Sequence, residues 1–303
     1  SPPCASFSTI GVGFTRKETH GLGKEHWGEA RDYSGIEQRT DDLFYEYIRI
    51  VDELRPKTFI AENVRGLAIE PNVQILGSNN PADLSNETIM GQFRNLGYKV
   101  KYKLINAEDY GVAQTRTRLI IIGVRKDLKG FPNFPFVFKK KVRLKDVMPD
   151  MQFISCHKGF NEQFNRMRTP SDVCYTITKS GIGPKGTYRV FRDSMTLEMI
   201  PEDHRLKYYD IKDLSIKEVP ILHKPGYLLK KDFTGIEYIH NPLYESLSKM
   251  SIIELKRIQS FPEDYILEGS YNKQLERLGR SVPPLMMRAV AEHLYNTVLK
   301  INE

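Results

Sequence analysis

Cysteine is scarce in this 303-residue chain. The three present, Cys4, Cys156 and Cys174, are odd in number and far apart, and none stands in a Cys-x-x-Cys pair. Neither a disulfide framework nor a cysteine zinc site is indicated, so a reducing, cytosolic setting is the simplest reading. Long apolar runs are missing as well. The longest, such as residues 119–124, fall far short of the roughly 20 that a membrane-spanning helix needs. No basic-then-apolar leader opens the chain, which begins on a Pro-Pro turn. No internal repeat or low-complexity tract is visible.

Against those absences stand a hydrophobic content of 40% and an aromatic content of 11%, which fit a folded globular protein with a sizeable core. The length suits two domains or one large one. The formal net charge is +7. Nucleic acid is the polyanion such an excess most readily suggests, although a merely basic soluble protein would carry it too.

Cys4 follows two prolines and precedes small and hydroxyl residues. Proline stiffens the backbone on one side, and small neighbours leave the sulfur open on the other. A reactive thiol is presented in this way, but by itself the pattern is more often an ordinary loop cysteine. From Gly11 to about Arg39 runs a polar, glycine-bearing stretch with Arg16, Lys17, Lys24 and Arg31. It lacks apolar periodicity and reads as a long loop with at most one helical turn. A loop of that length beginning at the suspect cysteine favours a lid.

Residues 41–54 place Leu43, Phe44, Tyr47, Ile48, Val51 and Leu54 on one helical face, and Pro56 stops the helix. Residues 58–64 read as a short buried strand ending in polar Glu62 and Asn63. In open α/β sheets ligands sit beyond the carboxyl ends of strands, although a strand-end carboxylate often just faces solvent. A helix over about 86–96, a strand over 99–106 and a strand over 118–124 follow. That order resembles the second half of a doubly wound sheet. Arg116 and Arg118 are two apart, so an extended chain points both to one face. Two fixed guanidiniums suit a phosphate or a base oxygen, but a solvated surface pair is the commoner origin of any Arg-x-Arg.

Beyond residue 126 the pattern dissolves. Lys139-Lys-Lys-Val-Arg-Leu-Lys145 is a basic run, usually no more than a solvated face. Residues 151–240 show no α/β alternation and read as an irregular, separate small domain, with 175–181 its clearest strand-and-turn signal. Regularity resumes with a helix over 250–259, a turn at 278–284, and a helix over 285–299 opened by Pro283 and Pro284.

Taken in order, the segments resemble the C5-cytosine DNA methyltransferases. Pro2-Pro3-Cys4 is similar to the Pro-Cys nucleophile motif, and Glu62-Asn63-Val64 to the Glu-Asn-Val motif. Gln114-Thr-Arg116-Thr-Arg118 matches Gln-x-Arg-x-Arg, and Gln259-Ser-Phe-Pro262 resembles Gln-x-Phe-Pro. Gly279-Arg-Ser-Val-Pro-Pro284 resembles the closing Gly-Asn-Ser-Val-Pro-Pro motif. Each is weak alone, whereas all of them in family order are highly specific.

The resemblance implies an α/β, Rossmann-like methyltransferase domain, incomplete at its N-terminus, with a smaller irregular target-recognition domain. The expected division is 1–147 and 246–303 catalytic, with 148–245 for target recognition. It implies Cys4 as nucleophile, Glu62 as the acid at cytosine N3, and Arg118 with nearby Arg116 holding O2. Asn63 would position the backbone around the base, and Pro3, Ser281 and Val282 would border the cofactor, S-adenosyl-L-methionine. The implied partner is double-stranded DNA with a flipped-out cytosine, in the bacterial cytoplasm at the nucleoid, within a restriction-modification system or alone. A tRNA cytosine methyltransferase and a non-catalytic DNA-binding remnant are the alternatives.

Three departures stand out. Ala5 replaces the glutamine usual after the nucleophile, and Arg280 replaces the usual asparagine of the closing motif. The family's cofactor-binding half normally precedes the Pro-Cys motif, and here the chain starts at that motif. The expectation is therefore a fragment, or one subunit of a split enzyme completed by an N-terminal partner, and not a circular permutation.

Overall fold

The computed structural model describes residues 29–31, 37–39, 42–69, 72–149, 151–156, 166–168, 170–178, 189–192, 205–210, 215–220, 227–232, 235–240 and 248–303. Pro3, Cys4 and the start of the loop that follows lie outside them. The chain divides into two units, one of Ser1–Asp109, Arg116–Val137 and Met287–Glu303, the other of Tyr110–Thr115 and Phe138–Met286.

In the first unit, the polar stretch expected as a loop contains a short antiparallel hairpin, β1 (Glu29–Arg31) with β2 (Glu37–Arg39). Helix α1 (Asp42–Leu54) follows. Its apolar residues recur at three and four, which buries Phe44, Ile48 and Val51. Arg49 bridges Glu46 and Glu53 on the outer side. Leu54, expected on the buried face, is exposed, because the helix ends there: Arg55 turns to φ 44° and Pro56 cannot continue it.

Three strands form the sheet: β3 (Thr58–Val64), β4 (Tyr98–Asn106) and β5 (Thr117–Arg125). The order is β3-β5-β4 and both pairings are antiparallel. The α/β class holds, with this described sheet antiparallel throughout. Between β3 and β4 lie α2 (Val73–Leu76) and α3 (Ile89–Asn95). The latter starts later than its periodicity suggests because the Thr88 hydroxyl caps it, accepting the Gly91 N–H at 3.1 Å.

One face of the sheet carries the core, with Phe59, Ala61, Leu119 and Ile121 packed against Phe44, Met90 and Phe93. Burying each such large side chain contributes about 1.5–3 kcal/mol. Gly123 sits opposite Phe59 in register, and a Cβ there would lie 2.0 Å from the Phe59 ring. Only glycine leaves that ring room to reach Phe93, with centroids 4.5 Å apart. Strand β4 is one of the sheet's two edges among the described residues. Midway along it the Asn79 amide pairs with the Tyr102 backbone in both directions, accepting its N–H at 2.9 Å and donating to its carbonyl at 3.1 Å.

The second unit contains α4 (Leu144–Val147) and a series of strands: β6 (Met151–Cys156), β7 (Arg166–Arg168), β8 (Arg189–Arg192), β9 (Arg205–Asp210), β10 (Ser215–Pro220), β11 (Tyr227–Asp232), β12 (Gly235–His240) and β13 (Ser248–Lys249). They pair as the sheet β13-β8-β6-β7 and two hairpins, β9–β10 and β11–β12. The segment read as irregular is therefore rich in antiparallel strands. Charged residues interrupt their alternation, as in Tyr-Leu-Leu-Lys-Lys-Asp of β11, so period two is hard to detect. The strand expected at 175–181 is absent through residue 178; only Cys174 forms an isolated bridge, to Gln114.

Helices α5 (Ile252–Ile258), α6 (Tyr271–Arg280) and α7 (Pro284–Leu294) close the chain, with one π turn at Tyr295–Leu299. Ser251 and Glu254 form a capping box on α5. Helix α6 is a correction to the sequence expectation: Leu278-Gly-Arg280, read as a turn, is its last turn. Its apolar residues Tyr271, Leu275 and Leu278 follow helical spacing within an otherwise polar segment.

Candidate active site

Glu62 reaches its position through register. On β3 the buried residues alternate, with Phe59, Ala61 and Asn63 on the core face, so Glu62 faces the other side. It stands opposite Ile120, and Val64 stands opposite Arg118. Arg118 is thus the diagonal same-face neighbour of Glu62, within reach of a long side chain. The Arg118 Nε lies 3.0 Å from Glu62 Oε1, and the two side chains are only 14% and 15% exposed. Arg118 also donates to the Thr117 carbonyl at 2.8 Å, which fixes the far side of its guanidinium.

Burial and ion pairing act in opposite directions on Glu62. Loss of solvent is the larger effect and pushes its carboxyl above the ordinary range, while Arg118 and then Arg116 pull it down. The outcome is a carboxyl held more readily protonated than a surface glutamate. Arg116 stands one residue before β5 and its side chain is fully buried, whereas Arg118 keeps some exposure. The two arginines therefore differ in access to a ligand, although both act on Glu62. Asn63 is buried, and its side-chain oxygen accepts the Val64 N–H at 2.8 Å, stiffening the strand end beside Glu62.

The remaining motif residues serve the second unit. Gln114 is fully buried, and its Oε1 accepts the Ile177 N–H at 3.2 Å. Thr115 donates its N–H to the Cys174 carbonyl at 2.8 Å, and the Thr176 hydroxyl donates to the Thr115 carbonyl at 2.6 Å. Gln259, equally buried, donates to the carbonyls of Leu278 at 2.6 Å and Ser281 at 3.1 Å. One motif glutamine thus braces the end of α6 and the turn of the closing motif. Cys174 is fully buried, and burial pushes its thiol up to about 12. It is a packed core cysteine without thiolate character at neutral pH.

Ser281 and Val282, expected beside the cofactor, lie immediately after α6. The Ser281 hydroxyl is directed back to the carbonyls of Arg277 at 2.6 Å and Leu278 at 3.1 Å. Arg280 pairs with Glu276 at 2.7 Å, and no carboxylate occurs among residues 278–286. A cofactor bearing an ammonium, a sulfonium and a ribose needs acidic and hydroxyl-binding partners. Residues 278–286 hold no group for the ammonium or the ribose of S-adenosyl-L-methionine; they could border it only through backbone and apolar contact.

A family model described as C-5 cytosine-specific DNA methylase matches residues 1–296. The Type II methyltransferase M.FnuDI of Fusobacterium nucleatum is 39% identical over 293 residues, spanning 90% of this chain and 74% of that protein. M1.HphI of Haemophilus parahaemolyticus, another Type II methyltransferase, is 28% identical over 302 residues, spanning 99% and 67%. Among solved structures, a triple mutant of Spodoptera frugiperda DNMT2 shares the fold with a TM-score of 0.52 at 16% identity, covering 90% of this chain and 76% of that one. The match extends from the Pro-Cys motif through the closing motif, and the carboxylate and arginines of the intervening motifs meet at one end of one sheet. On these grounds the chain belongs to the C-5 cytosine-specific DNA methylase family.

Proposed function

We propose that this chain methylates cytosine C5 at one short sequence in duplex DNA, with Cys4 as nucleophile, Glu62 as acid at N3 and Arg118 holding O2. S-adenosyl-L-methionine is the family's methyl donor and supplies the methyl group. The other events fall to this chain's own residues. C5 of cytosine is a weak nucleophile until C6 is attacked, and a thiolate is suited to that attack. As the Cys4 sulfur bonds to C6, electron density moves to N3 and O2. Glu62 delivers a proton to N3, and the Arg118 guanidinium stabilises the charge at O2. After C5 is methylated, its proton passes to a solvent-derived base; the C6–sulfur bond then breaks, the thiolate leaves, and N3 returns its proton to the Glu62 carboxylate. A base within a duplex is out of reach of such a constellation, so the target is flipped out.

The observation that supports this reading is the Glu62–Arg118 pair, 3.0 Å apart and largely withdrawn from water. A carboxyl raised by burial is suited to donating a proton at neutral pH, and a guanidinium beside it is placed to share the same base edge. Fully buried Arg116 acts on that carboxyl through its charge. The strand-rich segment 148–245 is assigned to target recognition, reading base edges in the major groove. Pro3, Ser281 and Val282 are assigned to the cofactor's border. The relatives' names, Type II methyltransferase, support a restriction-modification setting, and a place in the bacterial cytoplasm at the nucleoid is part of the proposal. No helix among the described residues is long and apolar enough to cross a membrane.

The test uses labelled S-adenosyl-L-methionine with duplex DNA or tRNA, with and without a separately supplied N-terminal partner. Label transfer to DNA that disappears in Cys4→Ser supports the proposal. Transfer to tRNA alone, or tight DNA binding without transfer under every condition, overturns it. A duplex bearing 5-fluorocytosine checks the nucleophile, since a covalent adduct is expected at Cys4 and nowhere else.

A further inference from the structure

We infer that Asn106 is a positioning residue for this site: its amide fixes the main chain at Arg116, and with it the placement of the Arg116 and Arg118 guanidiniums relative to Glu62. The inference rests on the proposed role of Glu62 as the acid and extends it to a residue outside every motif used above.

Asn106 is the last residue of β4 and pairs with Thr117, the first of β5. Arg116 therefore lies just outside the ladder, where strand pairing no longer holds the chain. The end of β4 supplies the missing bonds. Asn106 Oδ1 accepts the Arg116 N–H at 2.8 Å, and the N–H of Ala107 donates to the Arg116 carbonyl at 2.9 Å. Both main-chain polar groups of Arg116 are thus engaged, one of them by a side chain. The Asn106 amide is itself anchored, because its Nδ2 donates to Glu108 Oε1 at 2.9 Å.

The chemistry requires an amide here. The group must accept from a backbone N–H and donate to a carboxylate at two separate atoms, which the asparagine amide does and an ionised aspartate does not. Two residues beyond this clamp is Arg118, whose Nε meets Glu62 at 3.0 Å. Arg116, fully buried, contributes a fixed positive charge that opposes the effect of burial on Glu62. Among the described residues, Arg118 and Arg116 are the charged groups that act on Glu62. A shift of about 1 Å in such a constellation is enough to slow chemistry about a hundredfold.

The experiment compares Asn106→Ala with the pair Asn106→Asp plus Glu108→Gln in the full-length enzyme. In the pair, the new carboxylate still accepts the Arg116 N–H and the new amide donates back, so both bonds survive with their roles exchanged. For Asn106→Ala we expect kcat to fall about ten- to a hundredfold, with KM for DNA within about twofold. The alkaline limb of the kcat profile should move to higher pH, because Glu62 loses part of the charge that lowers it. The exchanged pair should recover most of kcat and return the limb toward wild type.

Unchanged kcat and limb in a folded Asn106→Ala enzyme would overturn the inference. So would a loss of kcat without movement of the limb, which marks a purely structural cap. If Asn106→Ala melts out of the folded state, the exchanged pair decides: wild-type-like turnover supports positioning, and turnover no better than alanine's overturns it. Glu62→Gln separates the two levels. If that variant keeps full activity, the acid role itself has failed; if it is inactive while Asn106→Ala is normal, only the positioning role has failed.

Discussion

Strand β5 carries an arginine–carboxylate pair at each end, and the two behave oppositely. Near its start, Arg118 meets Glu62 with side-chain exposures of 14% and 15%; at its end, Arg125 meets Asp127 with exposures of 29% and 57%. In the second pair Arg125 binds both Asp127 oxygens, at 2.7 and 3.0 Å. That contact lowers the Asp127 carboxyl, with the hydrogen bond from Arg125 as the main cause. Glu62 has a similar partner and moves upward instead, because it has lost its water. Burial, not the presence of an arginine, decides whether a carboxyl is a counter-ion or an acid.

The strongest way to break this comparison is Glu62→Gln. If Glu62 is the acid, methyl transfer should fall by roughly two to four orders of magnitude, read by label incorporation into DNA. A loss below tenfold would make the two ends of β5 equivalent. Arg118→Lys comes next. It keeps the charge but loses the planar fork that can serve Glu62 and a base oxygen together, so a roughly hundredfold loss in kcat is expected.

Between the two ends, Gly123→Ala drives a methyl group into the Phe59 ring. It should cost about 1–3 kcal/mol, seen as a lower midpoint in thermal melting. Wild-type stability in that variant would mean that β5 does not hold its two ends through this contact. The smallest effect is expected for Asp127→Asn, whose exposed pair should leave activity and thermal midpoint within measurement error.

The two carboxyls also separate by pH. A raised folded-state pKa means that ionisation opposes folding. Glu62 therefore contributes stability below the ordinary glutamate pKa, and that contribution is lost as pH rises through its folded value. For Asp127 the sign reverses: its contribution is present above the ordinary aspartate pKa and is lost as pH falls through the lowered one. Melting as a function of pH, in wild type against Glu62→Gln, should show the difference growing toward higher pH. A flat difference would remove burial as the cause.

Much of the first unit was legible in the chain. Strands β3, β4 and β5 fall within a residue or so of their patterns: burial on both faces gives β5 a continuous apolar run, and burial on one face gives β3 and β4 an alternation. The site was legible only through motifs in order, since no periodicity says that Glu62 and Arg118 become diagonal neighbours. That follows from register, which a sequence does not display. The alternation of Arg116 and Arg118 suggested equivalence, yet the strand begins at Thr117 and only Arg118 keeps exposure. Asn106 carried no signal at all, as an asparagine at a strand end reads as an ordinary turn residue. In the second unit, charge-interrupted strands and the polar helix α6 hid their periods, so the segment looked irregular.

The Asn79 amide on the outer side of β4 has a consequence for the molecule among its copies. An edge strand offers its backbone to any other strand, and sheets grow by that route. At Tyr102 both backbone groups are already taken by a single side chain, and Lys101 and Lys103 flank it as exposed charges. A borrowed strand would have to displace the amide and bring its own backbone between two cations. The Asn79 amide thus closes this edge at Tyr102 against an added strand.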